Sequence, residues 1–402
     1  MCKAAGESVL REMVGLRRSI HVHPELGLDL PRTQALVLEA IEPLGLDVST
    51  GSGLTSVVAD LDTGREGPTV LLRGDMDALP MHEDTGLEFS SEVEGRMHAC
   101  GHDAHTSMLV GAATVLTENA DSLRGRIRFM FQPGEEGGGG AAVMVNEGVL
   151  DGVDAAFALH VAPNLPSDRL ALRAGPMLAA TDDFTIRIIG RGGHASTPQW
   201  ATDPVPVAAE VVMALQTMIT RTVDAFNPAV LTVGSLHAGT TENVIPETAL
   251  MEGTLRTVDE GVRSAVRGRI ASVAEGIAAA HDCTAEVQVR EGYPVTVNDD
   301  DMAGWVNAVA GELLGERRVF EMPAPVMGAE DFSYVAAKVP AVMAFLGVCP
   351  PENPDPLAAP SCHSNRMVLN EDSMATGVAL HTAVASELVN APPGWLDTTG
   401  VG

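Results

Sequence analysis

The sequence has few basic and few aromatic residues. Its 402 residues include 25 lysines and arginines against 54 aspartates and glutamates, giving a formal net charge of −29. The only lysines are Lys3 and Lys338, which argues against Schiff-base catalysis such as that of pyridoxal-phosphate enzymes. Nucleic-acid binding is also disfavoured, because it needs clustered lysine and arginine to neutralise phosphates. Aromatic residues make up 3% of the chain, so an aliphatic core is expected.

Cysteine and long apolar segments are scarce as well. The five cysteines are widely scattered, which does not indicate a disulfide framework. No segment approaches the ~18 consecutive apolar residues of a membrane span, and the N-terminal residues contain no uninterrupted apolar stretch typical of a secretory signal. We therefore expect a cytoplasmic protein without a membrane partner. The glycine-rich segment is not a Walker A loop, because no Gly-Lys-Ser/Thr follows it. A G-x-S-x-G elbow is also missing, which disfavours a serine hydrolase.

The order of the predicted elements indicates two domains. A chain of 402 residues exceeds what one hydrophobic core usually organises. Between Leu10 and Val161, helices alternate with short apolar strands, which is typical of a mostly parallel sheet with helices on both faces. Between Asp183 and Arg290 the order is β-α-β-β-α-β, that of a ferredoxin-like unit. We therefore predict an α/β domain of residues 1–180 and 292–402, into which an α+β domain of residues 181–291 is inserted.

Polar side chains follow four of the predicted parallel strands. Such strands place functional groups beyond their carboxyl ends, at one edge of the sheet. Thiolate and imidazole groups favour zinc, cobalt, nickel or manganese-like ions over magnesium or calcium, and more than four donors suggest a pair of ions. The residues that follow strands are Asp75, Asp77, Glu135, Glu136, His160, Cys362 and His363, and the segment HACGHDAH adds Cys100 and His102.

The adjacent acids Glu135 and Glu136 suit a division of roles. Neighbouring residues at a strand end point in different directions, so one carboxylate can bind a metal while the other holds a water. A carboxylate of that kind is the usual general base of metal-assisted amide hydrolysis. The residues alone leave other readings open: Asp75 and Asp77 can be structural, and the glycines that follow Glu136 can form a flexible bend or allow the backbone to approach a ligand.

The inserted domain carries three conspicuous polar residues. They are His194 in GRGGHAS, Asn243 in TTENVIP and Arg256 in EGTLRT. A histidine and an amide can donate hydrogen bonds to a developing oxyanion, and an arginine can bind a carboxylate with two hydrogen bonds. Taken singly, each is explained equally well as a polar surface residue.

These motifs, in this order, resemble the metallohydrolase family of aminoacylase, carboxypeptidase G and acetylornithine deacetylase. The segments GDMDALP, GEEGGGG and GRGGHAS and the Cys100-Gly-His102 pairing resemble one branch of it. That branch contains hippurate hydrolase, plant auxin-conjugate hydrolases, N-acyl-amino-acid amidohydrolases and N-acetyl-diaminopimelate deacetylase. The resemblance extends over nearly the whole chain. The peptidase branches of the family have a histidine at the position of Asp75 and a bridging aspartate in place of the Cys-x-His segment, so this chain favours the amidohydrolase branch.

The resemblance implies a zinc-peptidase-like catalytic domain that holds two divalent metal ions (zinc, manganese, cobalt or nickel) and an inserted lid and dimerisation domain. It implies Cys100 as the bridge between the ions, Glu135 as the general base and Asp77 as a residue that orients a ligand. The implied metal ligands are Cys100, His102, Glu136, His160 and His363. The implied substrate-binding residues, of which the histidine and asparagine can reach the neighbouring subunit's site in family dimers, are His194, Asn243 and Arg256.

The sequence therefore predicts a homodimeric, metal-dependent amidohydrolase that cleaves an N-acyl amino acid into a carboxylic acid and a free amino acid. One alternative is a dipeptidase or carboxypeptidase-like peptidase that uses the same site. Another is a catalytically silent binding protein on the same scaffold, which the presence of Glu135 and of all five implied ligands disfavours.

Overall fold

The structure, a computed structural model, describes residues 2–396. Met1 and residues 397–402, which the prediction assigned to the larger domain, lie outside the described residues. No described helix is long and apolar enough to cross a bilayer. The α-helices are α1 (Cys2–His21), α2 (Pro31–Ile41), α3 (His102–Glu118), α4 (Gly140–Asn146), α5 (Pro204–Thr222), α6 (Glu260–Ala280), α7 (Asp300–Leu314), α8 (Ser333–Ala336) and α9 (Met374–Asn390).

The strands are mostly short. They are β1 (Asp47–Thr50), β2 (Val57–Asp62), β3 (Thr69–Asp75), β4 (Arg126–Gln132), β5 (Ala155–Ala162), β6 (Leu170–Leu172), β7 (Gly175–Leu178), β8 (Ala180–Ile189), β9 (Gly193–His194), β10 (Ala229–Ala238), β11 (Val244–Ile245), β12 (Thr248–Thr257), β13 (Thr284–Glu291), β14 (Thr296–Asn298), β15 (Val319–Glu321) and β16 (Ala341–Gly347).

The described residues form two compact units. The larger comprises residues 2–177, 297–324 and 331–396, and the smaller comprises residues 178–296 and 325–330. The prediction placed residues 178–180, 292–296 and 325–330 with the larger domain, but they group with the smaller unit. The reason is local pairing: the N–H of Ala179 donates to the carbonyl oxygens of Val326 and Gly328 at 3.0 and 2.9 Å.

The larger unit is built on one mixed sheet, in the order β1-β2-β4-β3-β5-β16-β6-β15. The four central strands β4, β3, β5 and β16 are parallel to one another and almost entirely buried, as expected for strands covered on both faces. β2 and β6 flank them in the antiparallel sense. The predicted α/β class with a mostly parallel sheet is confirmed.

The smaller unit is an antiparallel sheet with two helices packed against one face. Its strand order is β10-β12-β8-β13, the ferredoxin-like arrangement predicted from the order of elements. Aspartates begin both helices: the carboxylates of Asp203 and Asp259 accept N–H groups of the first turns of α5 and α6, which satisfies donors that have no partner within the helix. A short ribbon of β9 and β11, which the prediction did not include, extends from the sheet.

Candidate metal centre

The candidate site lies in the larger unit, where its central parallel strands end. β3 ends at Asp75, two residues before Asp77, and β4 ends at Gln132, three residues before Glu135. Parallel strands end at the same edge of a sheet, so these side chains are delivered to one place. The structure brings together seven of the predicted site residues there: Asp77, Cys100, His102, Glu135, Glu136, His160 and His363.

The donor atoms form two clusters that share one sulfur. Within each cluster, the donor atoms lie within 4.8 Å of one another. Because the sulfur of Cys100 belongs to both, Cys100 would contribute a donor to a cation held by either cluster. The two clusters are Cys100–His102–His160 and Cys100–Glu136–His363.

His102 tests whether these residues suit a metal ion. It is completely buried, and neither of its ring nitrogens has a hydrogen-bond partner among the residues that the structure describes. Burial alone lowers the pKa of His102, but the negative charges of Asp75 and Asp77 outweigh this effect and raise the pKa well above its usual value. A buried polar atom without a hydrogen-bond partner is unfavourable. A divalent cation would provide a partner for a ring nitrogen of His102. The donor set therefore fits a divalent metal.

Asp77 organises the acidic part of the site. Its two carboxylate oxygens accept the backbone N–H groups of Glu135 and Glu136, each at 2.9 Å, and Oδ1 lies 3.5 Å from Nδ1 of His102. One buried carboxylate thus fixes the turn after β4 and faces a candidate ligand. Glu135 is 7% exposed, and its carboxylate forms a further donor group with His102 and Glu136.

The glycines after Glu136 form a tight turn. A Cβ atom at Gly140 would lie 1.7 Å from the carbonyl oxygen of Pro133, so only glycine fits there. The sequence left two interpretations of these glycines open, a close approach of the backbone to a ligand and a bend of the chain. The contact of Gly140 with the chain's own backbone favours the bend.

His160 is held in one tautomer. Its Nδ1 donates to the carbonyl oxygen of Val161 at 2.8 Å, since a carbonyl can only accept. The proton-free Nε2 lies 3.4 Å from the sulfur of Cys100. His160 therefore presents an electron pair towards the shared sulfur, in the orientation that a metal ligand requires.

Cys362, which follows a predicted strand but is not among the implied metal ligands, lies beside Cys100. The hydrogen bond between the two thiols raises the pKa of Cys100 and lowers that of Cys362 to about 6. A cation that binds a thiol deprotonates it outright, so the raised pKa of Cys100 does not exclude it as a ligand.

His363 is the most exposed of the predicted ligands. Its Nε2 lies 3.1 Å from Oε1 of Glu136, and its side chain is 55% exposed. The hydrogen bond with Glu136 raises the pKa of His363 above its ordinary value. His363 adopts a left-handed backbone with φ of 66°, and its N–H donates to the carbonyl oxygen of Ala99 at 2.8 Å. This contact joins the loop that follows β16 to the segment of Cys100.

Gly101 explains why α3 begins at His102, whereas the helical spacing of the sequence predicts a start near His105. It has a φ of 84°, and a Cβ atom there would lie 2.4 Å from Cγ2 of Val161. The left-handed conformation, which glycine adopts without strain, turns the chain between two candidate ligands. His102 consequently lies in the first turn of the helix.

A buried ionic network lies beneath the candidate ligands. The guanidinium group of Arg73 bonds to the carboxylate of Asp75, to Oδ1 of Asp331 at 3.0 Å and to Oε1 of Gln132 at 2.8 Å. All four side chains are 1% exposed or less. His105 joins the network through a 2.6 Å contact between its Nδ1 and Oδ1 of Asp75, and burial lowers the pKa of His105 to about 4. Apart from Asp75, these partners were not found from sequence, because they lie far apart in the chain.

His21 and His98 lie outside the two clusters. His21 contacts Oδ2 of Asp103 at 2.7 Å and Oε1 of Glu83 at 3.2 Å, and Arg17 donates to the same Asp103 oxygen at 3.0 Å. These contacts are structural, because they fasten α1 to the first turn of α3.

The smaller unit carries His194 and Asn243 on the ribbon of β9 and β11. His194 pairs with Val244, the residue that follows Asn243 in the chain. The side chains of His194 and Asn243 are both exposed. The N–H of Ser196 donates to Nδ1 of His194 at 3.1 Å, so the ring proton of a neutral His194 is on Nε2. The ribbon thus presents an N–H donor from the imidazole beside the amide of Asn243.

Arg256 lies on the four-stranded sheet of the smaller unit, at the end away from the ribbon. It is half-buried on β12, opposite Thr181 of β8, whereas the ribbon follows the end of β8 at Ile189, which pairs with Thr248. Eight residues at ~3.3 Å each separate Thr248 from Arg256, or about 26 Å along the strand. The ribbon therefore begins at the opposite end of the sheet from Arg256.

Comparison with known proteins finds relatives that match most of the chain. Residues 71–387 match peptidase family M20/M25/M40. The chain is 41% identical over 337 residues to the N-acetyl-L-cysteine deacetylase of Bacillus subtilis, covering 84% of this chain and 80% of that one. It is 38% identical over 382 residues to thermostable carboxypeptidase 1 of Saccharolobus solfataricus, covering 94% and 95%. It is 40% identical over 378 residues to IAA-amino acid hydrolase ILR1-like 4 of Arabidopsis thaliana, covering 93% and 85%.

A solved structure is similar over almost the full length. The Bacillus subtilis YXEP protein, described as a dinuclear metal binding peptidase from the M20 family, is 31% identical. The comparison has a TM-score of 0.82 and covers 95% of this chain and 99% of that one.

Proposed function

The chain belongs to peptidase family M20/M25/M40, and on that premise we propose that it is a metal-dependent amidohydrolase that cleaves the amide bond of N-acyl amino acids. The observation that carries the proposal is the pair of donor clusters that share the sulfur of Cys100, with the buried Glu135 beside them. The deacetylase and the IAA-amino acid hydrolase among its relatives support an acyl amino acid as substrate.

In this proposal two divalent cations would be held by the residues of the two clusters. The ligands would be Cys100, His102 and His160 of one cluster and Cys100, Glu136 and His363 of the other. Such cations supply Lewis acidity, which lowers the pKa of water and stabilises negative charge on a carbonyl oxygen. Thiolate and imidazole donors suit zinc, manganese, cobalt or nickel.

Glu135 is the general base. Asp77 accepts the backbone N–H of Glu135 and so holds the carboxylate of Glu135 beside the donor clusters. Glu135 is not one of the proposed metal ligands. Glu135 takes a proton from the attacking water and passes it to the nitrogen of the leaving amine. His194 donates from Nε2 to the developing oxyanion, Asn243 adds an amide donor, and Arg256 binds the carboxylate of the amino acid.

The substrate-binding residues support a homodimer formed through the smaller domain. In an N-acyl amino acid the carboxylate and the acyl oxygen are only a few ångströms apart, whereas Arg256 and the ribbon of His194 occupy opposite ends of one sheet. A site that uses both therefore takes the ribbon from the neighbouring subunit.

The surface of the smaller unit supports the same assembly. Eight of the twelve exposed large hydrophobic side chains among the described residues belong to it, including Met213 on α5 and Val230 on the edge strand β10. An unpaired edge strand with apolar side chains is a ready surface for association. Replacing Val230 by Lys is expected to convert the dimer into a monomer in sedimentation velocity, whereas Leu357→Lys, at an exposed position of the larger unit, is not. A monomeric wild-type protein would contradict the assembly.

A carboxypeptidase-like activity is the second candidate, favoured by the carboxypeptidase relative. The metal-free protein is loaded with each candidate ion and assayed on hippurate, N-acetyl amino acids and dipeptides with a free amino group. Our proposal predicts turnover of the first two classes, and preferential hydrolysis of the dipeptides would favour the peptidase. Inactivity on the whole panel, with every ion bound, would favour a silent binding protein.

The role of Glu135 is tested by Glu135→Gln. The substitution keeps the size of the side chain and removes its basicity, so turnover is expected to fall by at least about 100-fold, while metal content measured by elemental analysis stays at the wild-type level. Wild-type turnover in this variant would exclude Glu135 as the base.

A further inference from the structure

His105 is a buried histidine that the proposed mechanism does not use. It is 1% exposed and lies in the first turns of α3, between β3 and β5. Its Nε2 accepts the backbone N–H of Val161 at 2.8 Å, and its Nδ1 lies 2.6 Å from Oδ1 of Asp75. Since Nε2 accepts, the proton of the neutral ring is on Nδ1 and is donated to Asp75. The two contacts determine both the tautomer and the orientation of His105.

Val161, whose N–H is held by His105, also binds a proposed metal ligand through its carbonyl oxygen. The N–H of Val161 donates to His105, and the carbonyl oxygen of Val161 accepts from Nδ1 of His160 at 2.8 Å. The second contact leaves Nε2 of His160 without a proton and 3.4 Å from the sulfur of Cys100. Hydrogen bonds therefore link Asp75 to His105, His105 to the N–H of Val161, and the carbonyl oxygen of Val161 to His160.

The Asp75 end of these hydrogen-bond links is anchored. The carboxylate of Asp75 is completely buried and pairs with Arg73, while its backbone oxygen accepts the hydroxyl of Thr106 at 2.7 Å. Arg73 is in turn held by Gln132 on the adjacent strand β4. Asp75 is thus a fixed acceptor, and His105 bonds to it without freedom to rotate.

A direct role of His105 as a metal ligand is disfavoured by the same contacts. Donor atoms of Asp75, His102 and His105 do lie within 4.8 Å of one another. Nδ1 of His105, however, carries the proton that it donates to Asp75, and the electron pair of Nε2 accepts the N–H of Val161. No electron pair of the ring remains for a cation unless one of these buried bonds is broken, which is costly.

We propose that His105 is a positioning residue, which fixes the backbone of Val161 through its N–H and thereby holds His160 in the tautomer and orientation that bind a divalent cation. The proposal rests on the proposed function, because it treats His160 as a ligand. Partners of this kind, one step behind a ligating histidine, orient the ring and raise its basicity, and their loss typically lowers metal affinity about 10- to 100-fold.

Two substitutions separate the two bonds of His105. In His105→Asn the side-chain amide is placed near Nδ1, so the bond to Asp75 can be kept while the Val161 N–H loses its acceptor. In His105→Gln the side-chain oxygen reaches the position of Nε2, so the Val161 bond can be kept. His381→Asn is the matched control, because His381 is 1% exposed and lies on α9, outside the donor clusters.

The experiment measures the dissociation constant of Co²⁺ for each metal-free protein by chelator competition, together with the visible absorption spectrum of the Co²⁺ form. The proposal predicts an affinity lower by about 10- to 100-fold in H105N, with altered Co²⁺ bands, and a near-native affinity and spectrum in H105Q and H381N. Circular dichroism of each metal-free protein checks that it is folded.

The outcomes distinguish this proposal from the proposed function. Native Co²⁺ affinity in H105N, or an equal loss in H105N, H105Q and H381N, overturns the positioning role and leaves the proposed function intact. The predicted pattern without hydrolysis of any substrate in the panel supports the positioning role and overturns the proposed function. A wild-type protein that binds no Co²⁺ overturns both.

Discussion

Asp77 offers a sharp test of how the site is built, because a single carboxylate holds the backbone of two functional glutamates. In Asp77→Asn the shape of the side chain is kept. The carboxamide, however, has only one oxygen, so its NH₂ group must face one of the two N–H groups that Asp77 accepts at 2.9 Å. One hydrogen bond is lost, and a buried N–H of Glu135 or Glu136 is left facing another donor.

The size of the effect follows from these contacts. A hydrogen bond to a charged group contributes about 1.5–3 kcal/mol, and an unpaired buried donor is penalised by about 1–3 kcal/mol. Part of this loss is relieved when the turn after β4 shifts, and the shift displaces the general base. We therefore expect transition-state stabilisation to fall by about 2–3 kcal/mol, or about 30- to 150-fold in kcat/KM at ~1.4 kcal/mol per decade.

The assay is steady-state kinetics with saturating metal on the best substrate of the panel, together with elemental analysis of bound metal. Asp62→Asn is the control, because Asp62 makes a half-exposed ion pair with Arg126 at 2.6 Å, and surface pairs of this kind contribute little. Wild-type kcat/KM in D77N would refute the reasoning, since it would show that neither glutamate depends on this carboxylate.

Two further predictions concern stability. Gly101→Ala introduces a Cβ atom 2.4 Å from Cγ2 of Val161 at a φ of 84° and should lower the unfolding free energy by at least about 2 kcal/mol and weaken Co²⁺ binding. Gly64→Ala, also at positive φ but without a neighbour within 4 Å, should lower the unfolding free energy only by the ~1–2 kcal/mol of the left-handed backbone and leave Co²⁺ binding unchanged. Desolvation lowers the pKa of His21, but the charge of Asp103 and hydrogen bonds raise it to about 9 from 6.5. The stabilisation that protonated His21 contributes to the folded state is thus complete below pH 6.5 and is lost as pH rises through 9. The free energy of unfolding measured in urea should therefore fall by about 3 kcal/mol over that interval. The slope should be absent in His21→Gln, and an unchanged slope there would assign it to other groups.

The fold was largely predictable because its elements carry strong local patterns. Apolar runs such as Thr69–Arg73 predict buried strands, and family membership and the α/β class are both confirmed. What the sequence did not predict are elements without such a pattern. β1 is exposed along its whole length, the two-residue strands of the ribbon are too short to show alternation, and the early start of α3 depends on the left-handed backbone of Gly101.

The sequence predicted the types of donor residue in the candidate site, but fewer of the contacts between residues far apart in the chain. Donor types at strand ends pointed to one edge of the sheet, and the structure brings those residues together. The partners of Arg73 were not predictable, because Asp331 is 258 residues away and no spacing rule links them. Cys362 was visible in the sequence, but its contact with Cys100 depends on the path of a loop.

The sharing of Cys100 between both donor clusters has a consequence for handling the protein. Alkylation or oxidation of that one sulfur removes a donor from both clusters in the same molecule. Under the proposed function, partial damage during purification is therefore expected to yield a mixture of active and inactive molecules and not a uniform population with weakened sites. Specific activity then falls in proportion to the fraction of modified sulfur, while the KM of the surviving activity stays constant.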